Sequence, residues 1–192
     1  VVTPYALISA GLLSHDRRGI AHDDLLAILT AFYDYLLQRE VKIADTLLAN
    51  KDKAILDALS LLDESHLISR MGSEGEDEED DIDQTVYSLE DDKRLNLEYY
   101  KNGILHFFLP VCFIAQSILI SQDDDITVQS LADDYQFFKK LFWNEFIFDI
   151  ERSDLDDVHD VLEYLHASGI ISNDGVRSEE RITIRAKGTS TL

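Results

Sequence analysis

The chain has 192 residues, with 17 Lys+Arg against 38 Asp+Glu and a formal net charge of -21. That length allows one large domain or two small ones, and a hydrophobic fraction of 45% suits a folded chain rather than a disordered one. The charge excludes general-surface binding to nucleic acid and disfavours unaided docking on anionic lipid. The single Cys112 excludes an internal disulfide framework and a multi-cysteine zinc site.

The chain opens Val1-Val2-Thr3-Pro4, without Met or a signal peptide, and reads as a piece of a longer protein. Thr3 can cap a helix that Pro4 begins, since Pro needs no N–H in the first turn. Residues 5–13 are predicted as a short apolar helix, followed by a turn over 14–19. A second helix starts near Asp23, with Leu25, Leu29, Phe32 and Leu36 on one face. A third starts after Asn50, carries Ile55, Leu59 and Leu62 inward, and ends near Ser65. Leu67-Ile68 begins a short strand, and Thr85-Val86-Tyr87 returns as its hairpin partner.

Between them, eight of the ten residues 74–83 are acidic and none is basic. Such a run repels itself and buries nothing, which predicts a disordered acidic loop over 72–84. The alternative, a calcium site, lacks the D-x-[DN]-x-[DN]-G-x5-E spacing that wraps one ion.

Residues 103–120 carry no formal charge, counting His106 as neutral. Pro110 in the middle should break this segment into two helices or kink one, and His106, Gln116 and Ser117 are polar. A buried core helix is favoured over a membrane span. Ser130 or a neighbour starts a helix carrying Leu131, Tyr135, Phe138 and Phe142. Asp154 starts another, with Val158, Val161, Leu162 and Leu165 inward, and Gly169 ends it. Ile170-Ile171 and Ile182-Thr183-Ile184 suggest a second hairpin around Asn173-Asp174-Gly175.

The two halves repeat a plan. Pro4 matches Pro110, and Leu25/Leu29/Phe32/Leu36 match Leu131/Tyr135/Phe138/Phe142, at an offset of 106. Leu59, Leu62 and Leu67-Ile68-Ser69 match Leu162, Leu165 and Ile170-Ile171-Ser172 at an offset of 103. The expected fold is mainly α (α+β): two similar three-helix units, 1–95 and 96–192, each followed by a small β-hairpin and winged-helix-like. Winged helices often bind DNA. Here the helix before the second hairpin carries Asp154, Asp156, Asp157, Asp160 and Glu163 and no basic residue after Arg152, so it cannot lie in a major groove. Such a shape would serve protein–protein packing.

No GxGxxG, P-loop or GxSxG motif is present, and neither a cofactor nor a metal is expected. Cys112 sits in an apolar run and reads as buried and inert. His15 and His22 fall in a polar turn read as solvated, and His159 and His166 read as surface residues. The sharpest feature is Tyr99-Tyr100-Lys101-Asn102-Gly103-Ile104-Leu105-His106. On a helix Tyr99, Asn102 and His106 share one face and lead into the most apolar stretch, so they are expected to be mostly buried as a polar knot. The competing reading is a contact with substrate or with another domain.

This motif, with Pro110 and Phe113-Ile114-Ala115 after it, resembles a segment of the membrane-associated glycerol-3-phosphate acyltransferases, bacterial and mitochondrial, which have [YF]-Y-x-N-[NG]-[IV]-x-H after the catalytic domain. Thr3-Pro4-Tyr5-Ala6-Leu7 and Arg18-Gly19-Ile20 are similar to the segment that follows that domain, and residues 149–171 to later family sequence. The resemblance implies transfer of an acyl group, from acyl-CoA or acyl-carrier protein, to the sn-1 hydroxyl of glycerol 3-phosphate. It also implies an upstream acyltransferase domain as partner, and a parent enzyme peripheral to the cytoplasmic face of the bacterial inner membrane. The family's catalytic His-x4-Asp pair is missing here: the residues five places after the six histidines are Ile20, Ala27, Met71, Val111, Tyr164 and Ile171. No catalytic residue carries over, and Tyr99, Tyr100, Asn102 and His106 are left as a structural or domain-interface motif. The rival function is an independent acidic adaptor with no enzyme behind it.

Overall fold

A computed structural model describes residues 1–15, 18–72, 85–121, 126–173 and 184–186. They form two compact units, Val1–Leu105 and His106–Leu192. Among the described residues there are seven helices, a three-stranded and a two-stranded antiparallel sheet. The acidic run 74–83, the turn at Asp174-Gly175, and Ile182-Thr183 lie outside the described residues.

In the first unit α1 (Pro4–Ser14) begins as the sequence dictates: Pro4 occupies the first turn and the Thr3 hydroxyl accepts from the Ala6 N–H at 3.2 Å. The helix is apolar on all sides and buries residues 6–12, which suits a central position against α2 (His22–Gln38) and α4 (Lys51–Glu64). Gly11 makes the contact with α2 close, since a Cβ there would come within 2.7 Å of Leu29 Cδ2. Leu25, Leu29 and Leu36 of α2 are buried as their spacing predicts, while Phe32 of the same expected face is half-buried. The Asn50 side chain caps α4 by accepting from the Lys53 N–H at 3.0 Å, and Ile55, Leu59 and Leu62 face the core. Ser65 ends α4, and His66 at φ 55 turns the chain towards the sheet.

The hairpin is present, as β2 (Ser69–Met71) and β3 (Val86–Ser88) with Ser69 opposite Ser88. The unit is nevertheless more than three helices and a hairpin. A third strand, β1 (Gly19–Ala21), pairs with β3 to give the order β1-β3-β2, and a short helix α3 (Asp45–Ala49) lies between α2 and α4. Neither is signalled locally: β1 has three residues, too few for an alternating pattern, and α3 buries only Leu47.

Helix α5 (Arg94–Ile120) runs on through Pro110 as one helix, so of the two expected outcomes, a break or a kink, the break does not occur, and the division between the units falls inside it. An interior proline costs about 3 kcal/mol. Burial of Ile104, Phe108, Leu109 and Ile114 on both sides of it offsets that cost. By length and composition α5 is long enough and apolar enough to cross a membrane, and 33% of its most apolar window is buried.

The second unit packs the later part of α5 with α6 (Val128–Leu141) and α7 (Asp154–Ala167). Its core comprises Ile114, Leu131, Tyr135, Val158, Val161 and Leu165, among others. Thr127 caps α6 in a reciprocal box with Ser130, and Ser153 caps α7. Gly169, at φ 67, ends α7 and leads into β4 (Ile171–Asn173), which pairs with β5 (Ile184–Ala186).

Candidate functional site

The motif at the start of α5 divides its residues between two faces. Leu97 and Ile104 are buried and hold the helix to the first unit. Tyr99 is 78% exposed, and Asn102 is exposed with it, against the expectation of a buried knot. Tyr100 is exposed on one side and touches Tyr5 on the other, ring centroids 5.6 Å apart, with Tyr99 edge-on to it at 5.6 Å. Glu98 accepts from Lys101 Nζ at 2.5 Å and lies 3.7 Å from Arg94 Nε. The first unit therefore presents a rim of aromatic rings and one amide that its own core does not use. His106 falls in the second unit, half-buried, with its ring 3.9 Å from that of Phe107; burial lowers its pKa and favours the neutral imidazole.

His22, read as part of a solvated turn, is buried as the first residue of α2. Its Nδ1 lies 3.0 Å from the Tyr87 hydroxyl of β3, and burial raises the Tyr87 pKa. The partner is 65 positions away, which local spacing cannot reveal. Beside this pair, a cavity of about 290 Å³ has His15, Arg18, Glu90, Asp91 and Arg94 among its polar lining. Its two arginines are balanced by two carboxylates, so it does not select a charge sign. His159 and His166 are exposed on α7. Among the described residues no group of three His, Cys, Asp or Glu could hold a metal.

Cys112 is exposed rather than buried, yet desolvation by its apolar surroundings raises its pKa. The thiolate is the nucleophile, so iodoacetamide at pH 7 should modify Cys112 more slowly than a free cysteine, with a rate midpoint above the ordinary thiol range. Modification as fast as that of a free thiol would contradict it.

Taken together, these features define a helical module of two units with small antiparallel sheets, in which Tyr99, Tyr100 and Asn102 of α5 are exposed. The model of the glycerol-3-phosphate acyltransferase C-terminal region matches residues 1–192, and the chain belongs to that family. It is 25% identical over 184 residues to the glycerol-3-phosphate acyltransferases of Haemophilus influenzae strains PittEE and 86-028NP, covering 93% of this chain. The chain spans 21% of the length of those relatives.

Proposed function

We propose that this region is a non-catalytic module that docks on an acyltransferase domain of the same polypeptide through the Tyr99–Tyr100–Asn102 rim, with His106 following on the same helix. The parent transfers an acyl group, from acyl-CoA or acyl-carrier protein, to the sn-1 hydroxyl of glycerol 3-phosphate at the cytoplasmic membrane surface. The observation that carries the docking reading is the exposure of Tyr99 and Asn102 within the motif that resembles the family's [YF]-Y-x-N-[NG]-[IV]-x-H. A buried knot would have spent these groups inside the module, whereas exposed aromatic rings suit an interface.

The test has two arms. The purified 192-residue chain should release no CoA from acyl-CoA and glycerol 3-phosphate, because it has no His-x4-Asp pair. Asn102→Leu should leave the melting of this chain unchanged but lower the activity of the full-length polypeptide. Activity in the isolated chain, or a full-length Asn102→Leu variant with unchanged activity, would refute the reading.

The two units also read as a duplicated winged-helix plan. The order helix–strand–helix–helix–helix–strand–strand of the first unit, in which the middle one of the three successive helices is the short α3, supports this with its β1-β3-β2 sheet. Matching caps support it further. Ala21 and Thr127 precede α2 and α6 at an offset of 106. At an offset of 103, Asn50 pairs with Ser153, Ser65 with Ser168, and His66 with Gly169, the last two residues both at positive φ. Ile20 and Ile126, Leu25 and Leu131, and Leu62 and Leu165 are buried at corresponding places.

A further inference from the structure

We infer that residues 146–150 of the second unit are the acceptor for an extended segment of alternating apolar and basic residues, from the polypeptide lying outside these 192 residues. This rests on the docking-module reading and on the correspondence between the two units. In the first unit Ile43, on the chain between α2 and α4, is covered. Val2 lies beside Ile43 in a parallel bridge: the Val2 N–H donates to the Lys42 carbonyl at 2.8 Å, and the Ala44 N–H donates to the Val2 carbonyl at 2.9 Å. Val2 is 0% and Ile43 5% exposed, so a short extended segment seals that edge.

At offsets of 103 to 106, the counterpart of 42–44 falls within 145–150. That stretch lies outside any helix or strand, and Ile147 and Ile150 are each 77% exposed. Among the described residues no backbone–backbone hydrogen bond reaches 147–150. Trp143, also exposed, stacks on Phe148 with ring centroids 6.1 Å apart and extends the apolar surface. The position corresponding to Val2 is Phe108, already inside α5, so among the described residues of the second unit no extended segment takes the place that Val2 has in the first.

Charge selects the occupant. Glu145, Asp149 and Glu151 are exposed along this stretch. A second copy would set carboxylates against carboxylates, and anionic lipid would be repelled in the same way. A strand of alternating apolar and basic residues satisfies both the open backbone and the acidic rim, with backbone hydrogen bonds for affinity and alternate side chains for selectivity. The relatives carry about four-fifths of their length outside the part this chain matches, ample to supply such a strand.

Hydrogen exchange of the 147–150 amides tests it, measured in the 192-residue chain and in the full-length polypeptide that carries it. Exchange should be at least about tenfold slower in the full-length polypeptide. Ile147→Asp should leave the melting of the 192-residue chain unchanged and abolish that protection. Equal exchange in the two proteins overturns the proposal, as does protection that survives Ile147→Asp. Protection of the isolated chain that grows with its own concentration, or on adding phosphatidylcholine vesicles, assigns the surface to a second copy or to lipid and also overturns it. A full-length enzyme that is active and sensitive to Asn102→Leu, yet exchanges fast at 147–150, sinks this inference alone. A full-length polypeptide without an acyltransferase domain sinks the docking reading as well.

Discussion

Leu29→Ala should destabilise the first unit by about 2–5 kcal/mol, the usual cost of truncating a fully buried leucine. Leu29 is 0% exposed, and the space left at Gly11 of α1 is filled by its Cδ2 methyl. The truncation opens a cavity at the closest approach of α1 and α2, where the glycine offers no side chain to move into it. Urea unfolding followed by far-ultraviolet circular dichroism, with hydrogen exchange of α1 and α2 peptides, would measure the loss. A cost below about 1 kcal/mol would mean that the α1–α2 contact is not part of the core. Overpacking the same place, by Gly11→Val, should also destabilise, by about 1–3 kcal/mol, because Leu29 and Leu25 would have to leave their rotamers.

Asp157→Ala is expected to cost the second unit about 1–3 kcal/mol. Asp157 is 2% exposed and accepts from the Tyr135 hydroxyl at 3.0 Å and from Arg152 Nε at 3.2 Å. Alanine takes away the carboxylate that Tyr135 donates to, in a site where the tyrosine is itself buried. The loss of the Arg152 contact adds little, because that guanidinium is 36% exposed and also pairs with Asp160. Asp157→Asn keeps an acceptor for the hydroxyl and should cost less. Thermal and urea unfolding monitored through Trp143 would rank the two variants. Equal stability of Asp157→Ala and the parent chain would show that the buried carboxylate contributes nothing to this core.

The elements legible in the sequence are those whose causes are local. Thr3-Pro4, Asn50 and Gly169 announce helix ends because capping involves groups within about four residues of each other, whereas Ser130, expected near a start, is the third residue of α6 and completes the cap made by Thr127. The faces Leu25/Leu29/Leu36 and Val158/Val161/Leu165 follow from 3.6-residue periodicity alone. The short strand β1 and the helix α3 escaped because each is too brief to show a period. His22 was misplaced because its burial depends on Tyr87, brought next to it only when β1 pairs with β3.

The motif at the start of α5 marks the limit most clearly. Periodicity places Tyr99 and Asn102 on one side of a helix, and their position ahead of an apolar stretch suggested that this side faces inward. The packing of Leu97 and Ile104 turns the opposite side to the first unit and leaves Tyr99 and Asn102 in solvent. Pro110 shows the same division: the missing N–H is a local fact, but whether a helix breaks there depends on how much apolar surface the flanking turns bury. By itself the sequence determined the caps, the apolar faces, the family and the absence of a His-x4-Asp pair. Tertiary structure alone decided which face of each helix meets a neighbour, because burial depends on elements brought together from distant parts of the chain.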